Sequence, residues 1–288
     1  MFETILVPLD GSVLAEQALP YVTELASRFA SEVTLIGICE PEETDQGEIC
    51  RLTIENKAGE IEKMLAPSGG KVKSVVIEGR PAQQIVDYAE NSNMGLIILT
   101  SHGRSGIMPW SLGSTSQKII HLRPKVPLLL IKAKEVAQEC NGLYNRILVP
   151  VDGSETGEAA VPYVLELVRT FEAEVILLRV VEKGHHVHTV GGLQYIPYYD
   201  QDIETSKANA EIYLAKVAAR FAGTRASLRC EVRTGDVANE ILKITEEQGD
   251  CLIAISSHGH SGISAWTFGS VTDKIVQASN RPILLIKA

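Results

Sequence analysis

The stretch ILVPLDGSVLAEQALPYVTEL, residues 5–25, returns as ILVPVDGSETGEAAVPYVLEL at residues 147–167, with 14 of 21 positions identical. Each copy begins with a short apolar run without polar alternation, which is typical of a strand buried on both faces. An apolar stripe at helical spacing follows and predicts a helix over residues 12–30 of the first copy. Pro20 and Pro162 lie inside this stripe at equivalent places, so we expect a kinked helix rather than a broken one.

The repeat extends over the whole chain. The offset between the copies grows from 142 residues in the first motif to 156 at Gly79 and Gly235, so the second copy carries an insertion of 14 residues after its second strand. This organisation predicts a first domain at 1–133, a linker at 134–145 and a second domain at 146–288.

Strand-like runs alternate with helical patterns inside each copy. In the first copy the predicted strands are 4–9, 32–38, 72–78, 95–100 and 127–131, and the predicted helices after the first one lie near 48–66, 80–92 and 114–122. Strands joined by helical crossovers predict an α/β fold made of two tandem, doubly wound, parallel five-stranded sheets of Rossmann-like type. Ligands of such sheets bind outside the carboxyl ends of the strands, where the strand order reverses.

A glycine-rich loop follows the fourth strand of each copy: SHGRSGIMPWSLGST at 101–115 and SHGHSGISAWTFGSV at 257–271. The loop matches neither the P-loop pattern nor the dinucleotide-binding fingerprint. Glycines allow backbone N–H groups to approach an anion closely. A helix that begins at Gly113 and Ser114 would direct its free N–H groups and the positive end of its dipole at the same point. The loop therefore predicts a phosphate site that needs little help from lysine or arginine.

The spacing of this loop is a small residue, two residues, glycine, nine residues, then Gly-Ser. It is similar to the nucleotide-binding motif of the universal stress protein family, G-x-x-G, nine residues, G-(S/T), and ILVPLDGS resembles the first strand and turn of that family. The resemblance covers nearly the whole chain twice, so the chain is identified as a tandem-domain member. It implies a stress-response module that binds ATP or AMP in one or both copies, with Mg²⁺ as a companion ion that ATP could carry.

The resemblance also assigns site residues by their position in the motifs. Asp10 and Asp152 would hydrogen-bond the adenosine portion, and Ile38 and Val180 would pack beside the adenine. The other positions would line the nucleotide and its phosphates: Pro8, Leu9, Thr100, His102, Gly103, Gly113, Ser114 and Thr115 in the first copy, and Pro150, Val151, Ser256, His258, Gly259, Gly269, Ser270 and Val271 in the second.

One position departs from the family pattern, because Thr100 and Ser256 stand where the motif has its first glycine. If that position needs a positive φ or leaves no room for a side chain, the site is weakened. If it is only a small residue that ends a strand, a hydroxyl group is compatible with binding.

Several of these residues also have a purely structural interpretation. Two pairs resemble capping boxes, in which the serine caps its own helix: Ser114 with Gln117, and Ser270 with Asp273. Asp10 and Asp152 fit turn residues ahead of a helix N-cap. The two loop histidines are expected to stabilise the loop or touch the ligand rather than act as bases, and Trp110 and Trp266 are expected to be packing anchors.

The insertion contains the histidine- and tyrosine-rich segment EKGHHVHTVGGLQYIPYYD, residues 182–200. His185, His186 and His188 are close enough in sequence to share a metal ion, but no cysteine or carboxylate completes an evident set of ligands. We expect a surface loop that holds no metal ion. Its aromatic residues, Tyr195, Tyr198 and Tyr199, indicate that the loop folds over the second pocket or over a partner.

Composition limits the class of protein further. The net charge is −9, and the parts before and after residue 140 carry −5 and −4, which disfavours binding to nucleic acid or to an anionic membrane. No apolar run approaches the roughly 18–20 residues of a transmembrane helix, and the N-terminus lacks the basic region of a secretory signal, so we expect a cytoplasmic protein. The five cysteines form no C-x-x-C pair and fit neither a disulfide framework nor a zinc site.

The sequence shows no paired carboxylates, no nucleophile beside a base and no evident magnesium cluster near the loop, which favours a binding protein over an enzyme, with at most slow ATP hydrolysis. The alternative is a scaffold of the same fold that binds no nucleotide, and a more distant one is an adenylating or electron-transfer enzyme of related fold. The resemblance also implies that the fifth strands of the copies pair antiparallel, giving an intramolecular pseudo-dimer. A homodimer of chains and a protein partner stay open.

Overall fold

The computed structural model describes residues 1–39, 46–104, 106–107, 112–134, 144–182, 200–258 and 269–288. The first half contains the strands β1 Thr4–Pro8, β2 Glu32–Cys39, β3 Lys71–Glu78, β4 Leu96–Thr100 and β5 Leu128–Ile131, and the helices α1 Val13–Glu16, α2 Leu19–Phe29, α3 Gln46–Leu65, α4 Pro81–Asn91 and α5 Ser114–Leu122. The second half contains the strands β6 Arg146–Pro150, β7 Glu174–Val181, β8 Ser227–Thr234, β9 Leu252–Ser256 and β10 Ile283–Ile286, and the helices α6 Val161–Thr170, α7 Asp200–Ala219, α8 Val237–Glu247 and α9 Ser270–Ala278.

The strands form one ten-stranded sheet in the order β3-β2-β1-β4-β5-β10-β9-β6-β7-β8. Neighbouring strands are parallel within each half, and the two halves meet where β5 pairs antiparallel with β10, with Leu129 opposite Leu284. The predicted α/β class and the antiparallel pairing of the fifth strands are confirmed. Because this pairing covers what would be the edge of each half, the chain forms a pseudo-dimer with itself.

Helices cover both faces of the sheet. The central strands follow the continuous apolar runs of the sequence, and Ile5, Leu6 and Val7 of β1 are completely buried. One face packs against α2, α3, α6 and α7, and the other packs against α4, α5, α8 and α9. The strand order reverses between β1 and β4 in the first half and between β6 and β9 in the second.

Aromatic side chains join the two halves on the face of α2 and α6. The ring of Phe2 lies 5.3 Å from that of Phe29 and 6.2 Å from that of Tyr163 in the other half. Phe171 packs against Phe29 at 6.1 Å and against Tyr144 at 4.8 Å. Tyr144 belongs to the predicted linker, yet its side chain is buried in this cluster.

The prediction of a single kinked helix over residues 12–30 is wrong. The first helix ends at Glu16, and a second begins at Leu19, with Pro20 in its first turn. In the second half, residues 155–160 form turns, and Pro162 lies in the first turn of α6. A proline is tolerated in the first turn because its missing N–H would have no helical partner there. Both prolines therefore mark helix starts.

Candidate functional site

Two clefts open at the carboxyl ends of the strands, one in each half, at the point where the strand order reverses. The first cleft has a volume of about 430 Å³ and lies beside the ends of β1, β2 and β4. The second has a volume of about 830 Å³ and lies beside the ends of β6, β7 and β9. Both volumes fall within the range of roughly 300–1,000 Å³ that is usual for small-molecule sites.

The structure brings the predicted site residues of each half together around its cleft. All ten positions predicted in the first half line the first cleft: Pro8, Leu9, Asp10, Ile38, Thr100, His102, Gly103, Gly113, Ser114 and Thr115. Nine of the positions predicted in the second half line the second cleft: Pro150, Val151, Asp152, Val180, Ser256, His258, Gly269, Ser270 and Val271. The tenth, Gly259, lies outside the described residues.

Thr100 and Ser256 are the last residues of β4 and β9, and neither has a positive φ. Both side chains are buried, and the Thr100 hydroxyl donates a hydrogen bond of 2.7 Å to the carbonyl oxygen of His102. The Ser256 hydroxyl oxygen lies within hydrogen-bond distance of the carbonyl oxygen of His258. The position that departs from the family motif is thus a strand end whose hydroxyl stabilises the loop.

Close backbone approaches explain two glycines of the first loop. A Cβ atom on Gly103 would lie 2.1 Å from Oδ2 of Asp10, and one on Gly113 would lie 3.0 Å from the carbonyl oxygen of Ser101. The approach at Gly269 is looser, with 3.5 Å to the carbonyl oxygen of Ser257. A side chain at Gly103 would therefore displace the Asp10 carboxylate, which holds the loop to the end of β1 through the N–H of Arg104.

Helix α5 begins at the floor of the first cleft, and α9 begins at the floor of the second. Their N-cap residues are Gly113 and Gly269, and neither helix has a side-chain hydrogen bond at its N-cap. The predicted capping boxes are therefore wrong, because Ser114 and Ser270 are already the first helical residues. The first amides of an α-helix have no partner within the helix, so both helix starts leave N–H groups directed at the clefts.

Asp10 and Asp152 hold the turns that follow β1 and β6. Oδ1 of Asp10 accepts hydrogen bonds from the backbone N–H of Ser12 at 3.0 Å and from its hydroxyl at 2.6 Å, and Asp152 makes the same pair with Ser154. Ser12 in turn caps α1. The turn interpretation of these aspartates is confirmed, and their carboxylates also line the clefts.

The first cleft is crossed by a residue that the sequence did not single out. The backbone N–H of Arg104 donates to Oδ2 of Asp10 at 2.8 Å, and its Nε donates to the Asp10 carbonyl oxygen at 2.5 Å. These two bonds tie the start of the glycine-rich loop to the end of β1. No local pattern could have found the pair, because its members are 94 residues apart in sequence.

His102 and His258 lie in different surroundings although their loops match. Nδ1 of each ring lies about 3 Å from the hydroxyl of the preceding serine. Burial, together with the nearby Lys132 ammonium group, lowers the pKa of His102, so its ring is neutral at pH 7. The guanidinium group of Arg123, at the end of α5, contacts the His258 ring and thereby connects the first half to the second cleft.

Helix α7 contributes residues to the second cleft that the sequence reasoning missed. Ser206, Asn209 and Tyr213 line this cleft together with Arg179 of β7. The Tyr213 hydroxyl donates to Oε1 of Glu158 at 2.8 Å, and burial and this bond raise the pKa of Tyr213. The sequence offered little indication of these residues of α7, because the helix follows the insertion and carries no recognisable motif.

Several predictions concern residues outside the described part of the chain. These are the packing role of Trp110 and Trp266 and the surface loop with His185, His186, His188, Tyr195, Tyr198 and Tyr199. Among the described residues, no group of three or more histidine, cysteine, aspartate or glutamate side chains is arranged to hold a metal ion. No helix in that part of the chain has the length and apolar composition needed to cross a bilayer.

Comparison with known proteins identifies the family of the chain. A sequence profile of the universal stress protein family matches residues 1–132 and again residues 143–287. A universal stress protein of Methanocaldococcus jannaschii is 30% identical over 158 residues, which cover 46% of this chain and 97% of that protein. One from Mycolicibacterium smegmatis is 21% identical over 98% of this chain and 96% of its own length.

A crystal structure of a universal stress protein from Archaeoglobus fulgidus has the same fold along nearly the full length. It covers 99% of this chain and 96% of its own, with a TM-score of 0.70 and 19% identity. The profile match over both halves, the duplicated motifs and the shared fold lead to one conclusion: the chain belongs to the universal stress protein family.

Proposed function

We propose that the protein is a regulatory module that binds an adenine nucleotide, ATP or AMP, in one or both clefts, with little or no hydrolysis. The observation that carries the proposal is the uncapped start of α5 and of α9 at the floor of each cleft, beside a glycine that allows close approach. A helix N-terminus with unpaired N–H groups favours an anion through both hydrogen bonds and the helix dipole.

The phosphate groups would occupy the space between the helix start and the strand end. In the first cleft this space is bordered by Gly103, Gly113 and Ser114. Because no acidic side chain lies in the first turn of α5, nothing there repels the anion. The first turn of α9 contains Asp273, so we expect phosphate to bind more weakly to the second helix start at equal geometry.

The base and ribose would lie against the other wall of the cleft. Ile36, Ile38 and Ile85 form an apolar surface in the first cleft, and Leu178, Val180 and Ile241 form its counterpart in the second. An apolar wall next to a few polar groups is the usual composition of a site for a small organic ligand. A carboxylate has about four acceptor positions, and Asp10 uses three of them, so it can accept one further hydrogen bond from a ribose hydroxyl.

We expect slow or no hydrolysis because of the chemistry of the lining groups. Rapid phosphoryl transfer requires a base that orients the attacking group and carboxylates that hold Mg²⁺. Asp10 already accepts three hydrogen bonds from Ser12 and Arg104. This carboxylate is therefore committed to the turn, although Mg²⁺ could still arrive bound to ATP.

Isothermal titration calorimetry with ATP and with AMP tests the proposal. We expect saturable binding to one or two sites, loss of the first site in Gly113→Val and loss of the second in Gly269→Val. Each variant is the control for the other, because the unchanged half should keep its affinity. Absence of heat and of thermal stabilisation at millimolar nucleotide would contradict the proposal, because a nucleotide at 100 times its Kd stabilises the folded chain by about 2.7 kcal/mol.

The alternative function is a scaffold that binds no nucleotide. The hydrogen bonds of Arg104 across the mouth of the first cleft favour this alternative for the first half. Mass spectrometry of the small molecules released from gently purified protein distinguishes the two functions. Co-purified ATP or AMP would exclude the scaffold.

A further inference from the structure

Two thiol groups meet at the mouth of the first cleft. Cys39 is the last residue of β2 and Cys50 lies near the start of α3, and both line the cleft. Both side chains are half-buried, and the neighbouring Cys39 thiol contributes to the raised pKa of Cys50. No motif linked these residues in the sequence, because one belongs to a strand and the other to a helix.

Packing fixes the position of Cys50 over the strand. A Cβ atom on Gly37 would lie 2.9 Å from Sγ of Cys50, so the absence of a side chain at Gly37 is what admits the sulfur. Gly37 and Cys39 are two residues apart on β2 and face the same side of the sheet, about 6.6 Å from each other. The sulfur of Cys50 therefore lies over the face of β2 from which Cys39 also projects, two residues further along the strand.

The backbones that carry the two thiols are held in place by the fold. The carbonyl oxygen of Cys39 accepts a hydrogen bond from the N–H of Gly79 at 3.0 Å, which ends the pairing of β2 with β3. One turn beyond Cys50, Ile54 is buried between α3 and the sheet, with 1% of its surface exposed. Cys39 and Cys50 are thus both held on regular secondary structure beside the first cleft.

The second half has no such pair. At the positions equivalent to Cys39 and Cys50 it has Val181 and Ser206, which line the second cleft. A chemical change at the two cysteines would therefore affect one cleft and leave its duplicate unchanged.

We propose that Cys39 and Cys50 are a modification site, which a hydroperoxide converts into a reversible disulfide at the first cleft. The thiolate sulfur of one cysteine attacks the peroxide, the O–O bond breaks, and a sulfenic acid and one water form. The sulfur of the other cysteine then displaces hydroxide from the sulfenic acid, the S–S bond forms, and a second water leaves. The two thiols lose two electrons and two protons, and hydrogen peroxide is reduced to two molecules of water.

The surroundings assign the order of these steps. Burial and the neighbouring Cys39 thiol raise the pKa of Cys50 to about 11, so Cys50 remains a thiol at neutral pH. Because the thiolate is the nucleophile in attack on peroxide, Cys39 reacts first and Cys50 resolves the sulfenic acid. Neither step involves a nucleotide, so the reaction is independent of the proposed function.

Peptide mapping tests the proposal on the full chain. Trypsin cleaves after Arg28 and Arg51, and residues 29–51 contain no other lysine or arginine, so both cysteines fall in one peptide. After treatment with hydrogen peroxide and alkylation of the remaining thiols, we expect this peptide unalkylated and lighter by two hydrogen atoms. Treatment with dithiothreitol before alkylation should restore a peptide with two alkyl groups.

Two variants take their side chains from the second half and should fold normally: Cys39→Val and Cys50→Ser. In Cys50→Ser we expect peroxide to leave Cys39 as a sulfenic acid that dimedone traps, and in Cys39→Val we expect slower oxidation of the remaining thiol. Cys230, an exposed cysteine on β8, is the internal control for oxidation of a single thiol.

Three results would overturn the proposal. The first is full alkylation of the peptide at peroxide concentrations that oxidise Cys230. The second is oxidation to sulfinic acid without a disulfide, and the third is a disulfide from Cys39 or Cys50 to a different cysteine. Circular dichroism of the oxidised protein checks that the reaction occurs in the folded chain.

Discussion

Alanine at Gly113 should cost more than alanine at the equivalent Gly269. Both residues cap nine-residue helices, and their φ values of −58° and −55° suit alanine equally well. A methyl group on Gly113 would lie 3.0 Å from the Ser101 carbonyl oxygen and 3.3 Å from Cα of His102. The corresponding distances at Gly269 are 3.5 Å and 3.9 Å, which are ordinary van der Waals contacts.

The two substitutions therefore differ by one physical effect. Both lose the preference for glycine over alanine at an N-cap, about 0.5–1 kcal/mol each. Only Gly113→Ala also forces a buried contact below its normal distance, for which about 1–3 kcal/mol is typical. We expect the free energy of unfolding of Gly113→Ala to lie below that of Gly269→Ala by about 1–3 kcal/mol.

Urea unfolding of both variants, with a check that the m-values are equal, measures this difference. Calorimetric titration with ATP should also show a loss of at least about tenfold in affinity, or about 1.4 kcal/mol, for the first site of Gly113→Ala. Equal stabilities, or a larger loss in Gly269→Ala, would refute the packing argument. Unchanged ATP binding in both variants would refute the role of the helix starts.

Three further perturbations test other parts of the structure. Gly103→Ala should destabilise the wild-type protein strongly, because its methyl group would overlap the Asp10 carboxylate. In an Asp10→Ala background this carboxylate is gone, so the same substitution should cost about 1–3 kcal/mol less. Urea unfolding of the double-mutant cycle measures this coupling, and simple additivity of the two substitutions would contradict the prediction. Burial lowers the pKa of Lys132 from 10.5 to about 8. Between these pH values the unfolded chain holds a proton that the folded chain has lost. The free energy of unfolding should therefore rise by up to roughly 3 kcal/mol as the pH increases from 8 to 10.5. Unfolding of Lys132→Met and wild type across this pH range should show that gain only in the wild type, and parallel curves would disprove it. Arg123 has a φ of +54°, so Arg123→Gly should be more stable than Arg123→Ala by about 1 kcal/mol, and thermal unfolding that ranks alanine higher would disagree.

Repetition made most of the fold predictable. The apolar runs gave the strands because buried parallel strands carry no alternation, and the order of strands and helices gave the position of both clefts. The break before Pro20 was not predictable in the same way. A proline inside an apolar stripe is compatible both with a kink and with a new first turn, and the stripe continues through either.

The details of the clefts depend on contacts between distant parts of the chain. Arg104 meets Asp10 through the fold of a loop, and Arg123 reaches His258 only because β5 and β10 pair. Thr100 ends the predicted strand 95–100 but stands where the family motif has a glycine, and the sequence alone does not show whether this position has room for a side chain. In the structure the Thr100 hydroxyl donates a hydrogen bond to the carbonyl oxygen of His102, so a side chain is tolerated at this position.

Native mass spectrometry of the intact chain tests the central claim most directly. Titration with ATP should add the mass of one or two nucleotides to the folded protein. The Gly113→Val variant should lose the nucleotide bound in the first half, and the Gly269→Val variant should lose the one bound in the second half. A spectrum that shows only unliganded protein at millimolar ATP, or equal adducts in the wild type and in a variant with both substitutions, would contradict the account.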